Sequence, residues 1–142
     1  MKNIKIQKKS IGLHEKTFVI AEIGLNHNGD LLTCKKLIKH AKNAGADAVK
    51  LQISDAKESY FVGTSSYKTF SKFSLTEEEI RKISLFAKKN KIILFATAGD
   101  IKSLKIIKKY KFPLIKISSG LLTNDPLILK ASKLNLPTII SC

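Results

Sequence analysis

A single glutamate inside an apolar run constrains this chain more than any other feature. The run from Phe18 to Ile23 is rich in apolar and β-branched residues, as in a buried strand, yet it contains Glu22. An ionised carboxylate is costly to bury without partners. We therefore expect Glu22 to lie at the open end of the strand and to face a polar cavity. Gly24, a polar turn and Asp30, a candidate N-cap, then lead into a helix.

Strands and helices alternate along the rest of the chain. Period-two alternation predicts a hairpin within residues 1–17, before an α/β unit over residues 18–142. The predicted strands are Phe18–Ile23, Ala46–Ile53, Ile92–Ala96, Leu114–Ser118 and Thr138–Ser141. The predicted helices are Leu31–Asn43, Thr76–Asn90, Asp100–Tyr110 and one capped by Asn124 or Asp125. Such alternation predicts a parallel sheet, either doubly wound or five-eighths of a (β/α)8 barrel.

Two further local predictions concern packing. In the first helix an apolar stripe is expected to face the core, formed by Leu32, Leu37, Ile38 and Ala41. Ser54 to Ser74 has little periodicity and is predicted to be a long polar connection. Its aromatic residues are expected to pack onto neighbouring helices and anchor the segment there, rather than to contact a ligand.

The positive charge of the chain is expected to favour anionic substrates. There are 26 Lys and Arg against 11 Asp and Glu, a formal net charge of +15. Nucleic-acid binding would explain that charge, but the lysines recur at the spacing of solvated helix faces without interleaved aromatics. Two cysteines support no disulfide framework, and no apolar run approaches the about 18 residues of a membrane span. We expect a cytoplasmic chain that binds neither nucleic acid nor membrane.

Polar residues recur at the carboxyl ends of successive predicted strands, where active sites of parallel α/β folds lie. They are Glu22, Lys50 with Gln52, Thr97, Lys116 with Ser119, and Ser141. Two ammonium groups among hydroxyls describe a pocket for phosphate and carboxylate. A lysine snorkelling at a barrel rim and a Schiff-base lysine are alternatives left open. No Gly-x-Gly-x-x-Gly follows the first strand, which disfavours dinucleotide binding.

Several segments resemble the N-acetylneuraminate (sialic acid) synthase family, whose catalytic domain is a (β/α)8 barrel. The matching segments are Ala21–Gly24, Asn26–Asp30, Gly45–Gln52, Phe95–Asp100, Lys116–Gly120 with Thr123 and Asn124, and Pro137–Ser141. Since a complete barrel takes about 200–250 residues, the resemblance implies that 142 residues hold its N-terminal part. Synthases of N-acetylneuraminic, pseudaminic and legionaminic acids share these motifs.

The resemblance implies a reaction in which phosphoenolpyruvate condenses with an N-acetylated amino sugar, such as N-acetylmannosamine, and phosphate is released. Family members use a divalent metal, Mn²⁺ or Mg²⁺. Carried over by motif, the phosphoenolpyruvate ligands are Lys50, Thr97, Lys116, Ser119 and Ser141. Gln52 would contact the open-chain sugar, and Glu22 would orient the sugar or act as acid and base.

The chain departs from the family pattern in two places. Thr97-Ala98-Gly99 stands where the family usually has Thr-Pro-Phe. The family's two metal-ligating histidines come later than Cys142, and none of the three histidines here occupies their positions. We therefore expect the chain to be inactive alone, or alternatively to be a non-catalytic, anion-binding remnant. The family forms homodimers, and here we expect association through open strand edges.

Overall fold

A computed structural model describes residues 3–142. The strands are β1 (Ile4–Ile6), β2 (Lys9–Ile11), β3 (Ile20–Gly24), β4 (Ala48–Ile53), β5 (Ile93–Ala98), β6 (Ile115–Ile117) and β7 (Thr138–Ile140). The α-helices are α1 (Leu31–Asn43), α2 (Ala56–Ser59), α3 (Ser65–Phe73), α4 (Glu77–Lys89), α5 (Ile101–Lys109) and α6 (Asp125–Ser132), and Ser119–Leu121 forms a 3₁₀ turn. These bounds differ from the predicted ones by a few residues at most.

The main sheet decides between the two topologies that the sequence left open. Its five strands are all parallel and follow the chain order β3-β4-β5-β6-β7. A doubly wound sheet reverses its strand order at a switch point, whereas a barrel adds each strand beside the last one. The sheet is therefore part of a (β/α)8 barrel, as expected.

The two faces of the sheet are covered by different elements. The outer face carries most of the core, in which Val49, Leu51 and Ile53 of β4 pack against the helices. The inner face holds a smaller apolar cluster at the amino ends of the strands, formed by Ile6, Ala48, Ile93, Phe95 and Leu114. Ile6 belongs to the antiparallel β1–β2 hairpin, which therefore closes this end of the partial barrel. The first two residues of the predicted hairpin segment lie outside the described residues.

The N-cap residues predicted from the sequence form side-chain caps at the starts of α1, α4 and α6. Asp30 accepts a hydrogen bond from the Thr33 amide, and Thr76 forms a complete capping box with Glu79. Asn124, rather than Asp125, caps α6 by accepting from the Leu127 amide. These caps fix where each connection turns from a strand into a helix.

The prediction of an irregular connection from Ser54 to Ser74 is wrong, because α2 and α3 lie within it. Asp55 and Thr64 are the N-caps of these short helices. The aromatic side chains also differ from the prediction: Tyr60 and Phe70 stack on each other, and Phe61 is 89% exposed. A polar composition hid the two helices, since short helices depend on capping and tertiary contacts rather than on an apolar stripe.

The predicted stripe of α1 is displaced around the helix. Leu32 is 65% exposed, while Cys34 and Ile38 are fully buried. Cys34 takes the core position because it lies four residues before Ile38, on the same side of the helix. Within residues 3–142, the helices are all too short or too polar to cross a membrane.

Candidate active site

A cavity of about 510 Å³ opens at the carboxyl ends of the parallel strands. One side of it is ionic and is formed by side chains of β3, β4, β5 and β6. These residues are Glu22, Lys50, Gln52, Thr97 and Lys116. The other side is formed by the α2 segment, the start of α5 and the 3₁₀ turn before α6. The five ionic-side residues are all among those predicted from the sequence.

Lys50 is the deepest charged group in the cavity. Its side chain is only 2% exposed, and its Nζ lies 3.1 Å from Glu22 Oε1. The same Nζ donates to Thr97 Oγ1 at 3.3 Å. Glu22 remains 61% exposed, so it is solvated while it serves as the counter-ion of a buried ammonium. This pair explains the carboxylate inside the apolar strand.

Strand register brings the other ionic-side residues together. In the parallel ladder Glu22 stands beside Lys50, and Gln52 stands beside Thr97, which in turn stands beside Lys116. Neighbours in register point to the same face of a sheet. The Lys116 Nζ lies 3.9 Å from the same Glu22 oxygen that Lys50 contacts. Two ammonium groups thus share one carboxylate, so these three side chains together carry one net positive charge.

Asp100 fixes the opposite wall of the cavity. Its buried carboxylate accepts from the Asp55 amide at 2.6 Å and from the Ser59 hydroxyl at 3.2 Å. The amide and hydroxyl of Ser103 complete its partners, at 2.7 and 2.9 Å. One side chain therefore caps α5 and also holds α2 at both ends. On the surface, Lys102 pairs with Asp55 and lowers the pKa of that carboxyl by hydrogen bonding.

Gly99 allows the β4–α2 and β5–α5 connections to approach closely. Its φ is not in the left-handed region, but a Cβ there would lie 2.6 Å from Ser54 Oγ and 2.7 Å from Ser54 Cβ. Ser54 Oγ in turn donates to Ser59 Oγ at 2.7 Å. The departure from Thr-Pro-Phe noted in the sequence thus creates room that Ser54 and Ser59 occupy.

Tyr60 and Phe70 form the aromatic part of the wall. Their ring centroids are 4.9 Å apart with an interplanar angle of 27°, and both residues line the cavity. Burial raises the pKa of the Tyr60 hydroxyl, with a smaller contribution from the charge of Asp100. Sequence reasoning missed Tyr60 because a half-buried aromatic carries no periodic signal in a short polar segment.

Two of the predicted ligands do not line the cavity. Ser119 is exposed in the 3₁₀ turn, and Ser141 follows β7, where its amide donates to Ile117 O at 3.1 Å. Ser118 lines the cavity instead of Ser119. The alternation of β6 already contained this signal, because Ser118 lies two residues after Lys116 and shares its face.

His27 lies in the loop between β3 and α1 and is 1% exposed. Its Nδ1 accepts from the Gly29 amide at 3.1 Å, and its Nε2 has no hydrogen-bond partner among the described residues. Burial lowers the pKa of its imidazole. This bond joins His27 to the backbone of its own loop.

A divalent metal does not fit the described residues by themselves. Residues 3–142 bring together no group of three or more His, Cys, Asp or Glu side chains that could hold one. At the cavity, Glu22 is engaged by Lys50, and the Asp100 carboxylate already accepts bonds from Asp55, Ser59 and Ser103. The carboxylates at the cavity therefore already have partners within the chain.

The fold and the cavity together define part of a (β/α)8 barrel, with a polar cavity that contains two lysines at the carboxyl ends of its strands. The particular family follows from comparison with known proteins. Residues 37–142 match the NeuB family, and the chain belongs to it, within the N-acetylneuraminate synthases.

The relatives agree in sequence and in structure. The chain is 40% identical over 141 residues to an uncharacterised protein of Methanocaldococcus jannaschii, covering 99% of this chain and 42% of that protein. It is 36% identical to the N,N'-diacetyllegionaminic acid synthase of Campylobacter jejuni, covering 89% of this chain and 42% of that protein. The crystal structure of N-acetylneuraminic acid synthetase from Leptospira borgpetersenii, in complex with citrate, matches with a TM-score of 0.93 at 28% identity, over 98% of this chain and 49% of that one. The chain thus spans 42% of the length of these two curated relatives.

Proposed function

We propose that this chain is the phosphoenolpyruvate-binding part of a nonulosonic acid synthase, which joins phosphoenolpyruvate to an N-acetylated amino sugar and releases phosphate. The observation that carries the proposal is the buried Lys50 ammonium, held between Glu22 and Thr97 beside Lys116. Family membership supports the reaction class, and the relatives named above include synthases of two different nonulosonic acids.

The charge balance of the cluster formed by Glu22, Lys50 and Lys116 suits an anionic substrate. A buried ammonium is unfavourable unless anionic groups surround it, and Glu22 alone serves two ammonium groups here. The phosphate and carboxylate of phosphoenolpyruvate would take over as partners of Lys50 and Lys116, with Thr97 as a hydroxyl donor. Ser118, which lines the cavity, is a second hydroxyl for this role. The released Glu22 carboxylate would then accept hydrogen bonds from the sugar.

Each residue has a distinct task in the proposed reaction. The methylene carbon of phosphoenolpyruvate forms a bond to the aldehyde carbon of the open-chain sugar. Water adds to the resulting cationic carbon, and phosphate leaves as its C–O bond breaks. Lys50 and Lys116 stay beside the phosphate and carboxylate throughout and stabilise their charge as it redistributes. Gln52, on the same face of β4 as Lys50, would orient the sugar.

Calorimetric titration with phosphoenolpyruvate tests the proposed site. We expect Lys50→Met and Lys116→Met each to weaken binding at least about tenfold, the order of one charge-assisted hydrogen bond. Lys105→Met, which removes an exposed lysine of α5 outside the cavity, is the matched control and should bind like the unmodified chain. Equal affinity in all three variants would place the anion elsewhere and refute the proposal.

We also propose that the 142-residue chain binds without turnover, because the described residues supply no metal site. Phosphate release should stay at background when phosphoenolpyruvate, N-acetylmannosamine and Mn²⁺ are supplied together. Turnover comparable to that of a complete synthase would contradict this part of the proposal.

The chain is further proposed to associate through its sheet edges. β3 and β7 each pair with a strand on one side only, so their outer backbone groups are available to another strand. Light scattering should therefore detect species larger than one chain. A single compact monomer across a range of protein concentrations would argue against edge pairing.

A further inference from the structure

Resting on the proposed function, we propose that Tyr60 contacts the amino sugar and helps to select it. Tyr60 lines the same cavity as the two lysines but comes from the α2 segment rather than from a strand of the sheet. Phosphoenolpyruvate and sugar must both fit within this cavity of about 510 Å³. If the anion occupies the lysine side, the space left for the second substrate is bounded by Tyr60 and the α2 segment.

The Tyr60 ring is accessible to a ligand in the cavity rather than enclosed in the hydrophobic core. Phe70 covers one face of the ring at a centroid distance of 4.9 Å, and the residue as a whole is half-buried at the cavity wall. Among the tyrosine hydroxyls of residues 3–142, that of Tyr110 donates to Glu77 at 3.0 Å, whereas that of Tyr60 has no partner among those residues. A braced ring with an unused hydroxyl offers a ligand both an apolar surface and a directional hydrogen bond.

The position of Tyr60 is set by the residues just before it. Asp100 binds the Asp55 amide and the Ser59 hydroxyl, so the backbone is fixed up to the residue that precedes Tyr60. Gly99 leaves room for the Ser54–Ser59 hydrogen bond beneath this segment. A ligand group that meets Tyr60 therefore meets a wall that is already in place, which lowers the entropic cost of recognition.

The lining of this wall indicates which part of the sugar it would take. Apolar atoms of Ile101, Leu121 and Leu127 share the wall with Tyr60 and with the Ser54 and Ser59 side chains. An acetamido group matches such a surface, because its methyl can pack against apolar atoms while its amide meets hydroxyl groups. We therefore assign the N-acetyl group of the sugar to the Tyr60 wall and its aldehyde end to the lysine wall.

Binding of N-acetylmannosamine to the full 142-residue chain tests the assignment, with and without phosphoenolpyruvate. Calorimetry should give an affinity about three- to tenfold weaker for Tyr60→Phe, which loses only the hydroxyl, and a larger loss for Tyr60→Ala. The affinity for phosphoenolpyruvate should change less than twofold in both variants. Tyr67→Phe is the matched control, because Tyr67 lies in α3 but does not line the cavity. Mannosamine, which lacks the acetyl group, should bind all variants equally weakly.

Tyrosine emission gives an independent readout. The chain has three tyrosines and no tryptophan, so Tyr67→Phe combined with Tyr110→Phe leaves Tyr60 as its one strong emitter. Saturable quenching by N-acetylmannosamine in that background would support the contact. Equal sugar affinity in Tyr60→Phe, Tyr60→Ala and the unmodified chain would overturn it, as would the absence of sugar binding in a chain that binds phosphoenolpyruvate. Failure to bind phosphoenolpyruvate would instead overturn the proposed function.

Discussion

The two ends of the partial barrel use the same strands for opposite purposes. At the amino ends, Ala48, Ile93 and Phe95 pack with Ile6 of the hairpin into a dry cluster. At the carboxyl ends, the same inner face carries Lys50 and Thr97 beside an open cavity. The first arrangement lowers the free energy of the folded state, whereas the second places a charge where it costs stability. We infer that the amino end serves the fold and the carboxyl end serves the ligand.

Truncation of Phe95 should have the largest effect. Its ring is fully buried at the centre of the inner cluster, so Phe95→Ala removes buried surface and leaves a cavity. We expect the free energy of unfolding to fall by about 3–5 kcal/mol in urea denaturation. Phe61→Ala removes the same side chain from an exposed position and should change it by less than about 0.5 kcal/mol. A similar loss in both variants would show that the inner cluster does not bear the stability of the sheet.

Gly99→Ala tests how tightly the β4–α2 and β5–α5 connections pack together at the carboxyl end. The new methyl group would meet Ser54 Cβ at 2.7 Å and Ile53 O at 3.1 Å, and neither can move far. We expect a loss of about 1–3 kcal/mol in thermal or urea unfolding. Gly120→Ala provides the control, since nothing lies within 4 Å of its Cβ position. If both variants unfold alike, the close approach of Ser54 to Gly99 is not maintained in solution.

Lys50→Met should separate stability from binding. Methionine fills similar volume without a buried charge, and the exposed Glu22 remains solvated when its partner is lost. We expect the free energy of unfolding to stay within about 1 kcal/mol of the unmodified chain, or to rise above it. Phosphoenolpyruvate binding should be lost in the same variant. A strongly destabilised Lys50→Met chain would mean that the carboxyl end also serves the fold.

His27 should produce the smallest effect, and one that depends on pH. Burial holds the pKa of its imidazole below the ordinary value of 6.5, so the unfolded chain takes up the proton more readily than the folded one. Its stabilising contribution is therefore complete above pH 6.5 and is lost as the pH falls below that value. Unfolding midpoints measured from pH 7.5 down to 5 should show this loss.

His27→Asn is the variant that isolates this titration. Asparagine can still accept a hydrogen bond from the Gly29 amide, but it does not titrate. The difference in stability between this variant and the unmodified chain should shrink as the pH falls. His14→Asn, at an exposed position, controls for histidine loss in general. A pH-independent difference would show that the imidazole takes up a proton equally readily in the folded and the unfolded chain.

The sequence predicted which residues form the ionic side of the cavity, because side chains on alternate positions of a strand point to the same face of the sheet. Lys50 and Gln52 lie two residues apart and therefore share a face of the sheet. Glu22 is expected in a polar environment at the strand end because a buried carboxylate without partners is costly. Both its position after the fourth predicted strand and the family motif place Ser119 in the predicted site, whereas Ser118 lines the cavity in the structure. Alternation within β6 indicates Ser118, because it lies two residues after Lys116.

The opposite wall could not be predicted in the same way. The helices α2 and α3 are short and polar, and they depend on the N-caps Asp55 and Thr64 and on contacts made far along the chain. The Asp100 carboxylate was recognised as the cap of α5, but its bond to the Asp55 amide joins residues 45 positions apart. Local sequence patterns contain no information about such a pairing.

The multiple hydrogen bonds of Asp100 have a consequence for protein engineering. Residues 54–60 are tied to the start of α5 by Asp100, and Ser103 links that same carboxylate to Ile53 O at 2.8 Å. A loop transplanted from a relative would lose this anchorage unless its acceptor chain also carried an acid and a hydroxyl at those two places. The α2 segment and the first turn of α5 therefore form one exchangeable cassette, and chimeras that change substrate preference should be cut outside both of them.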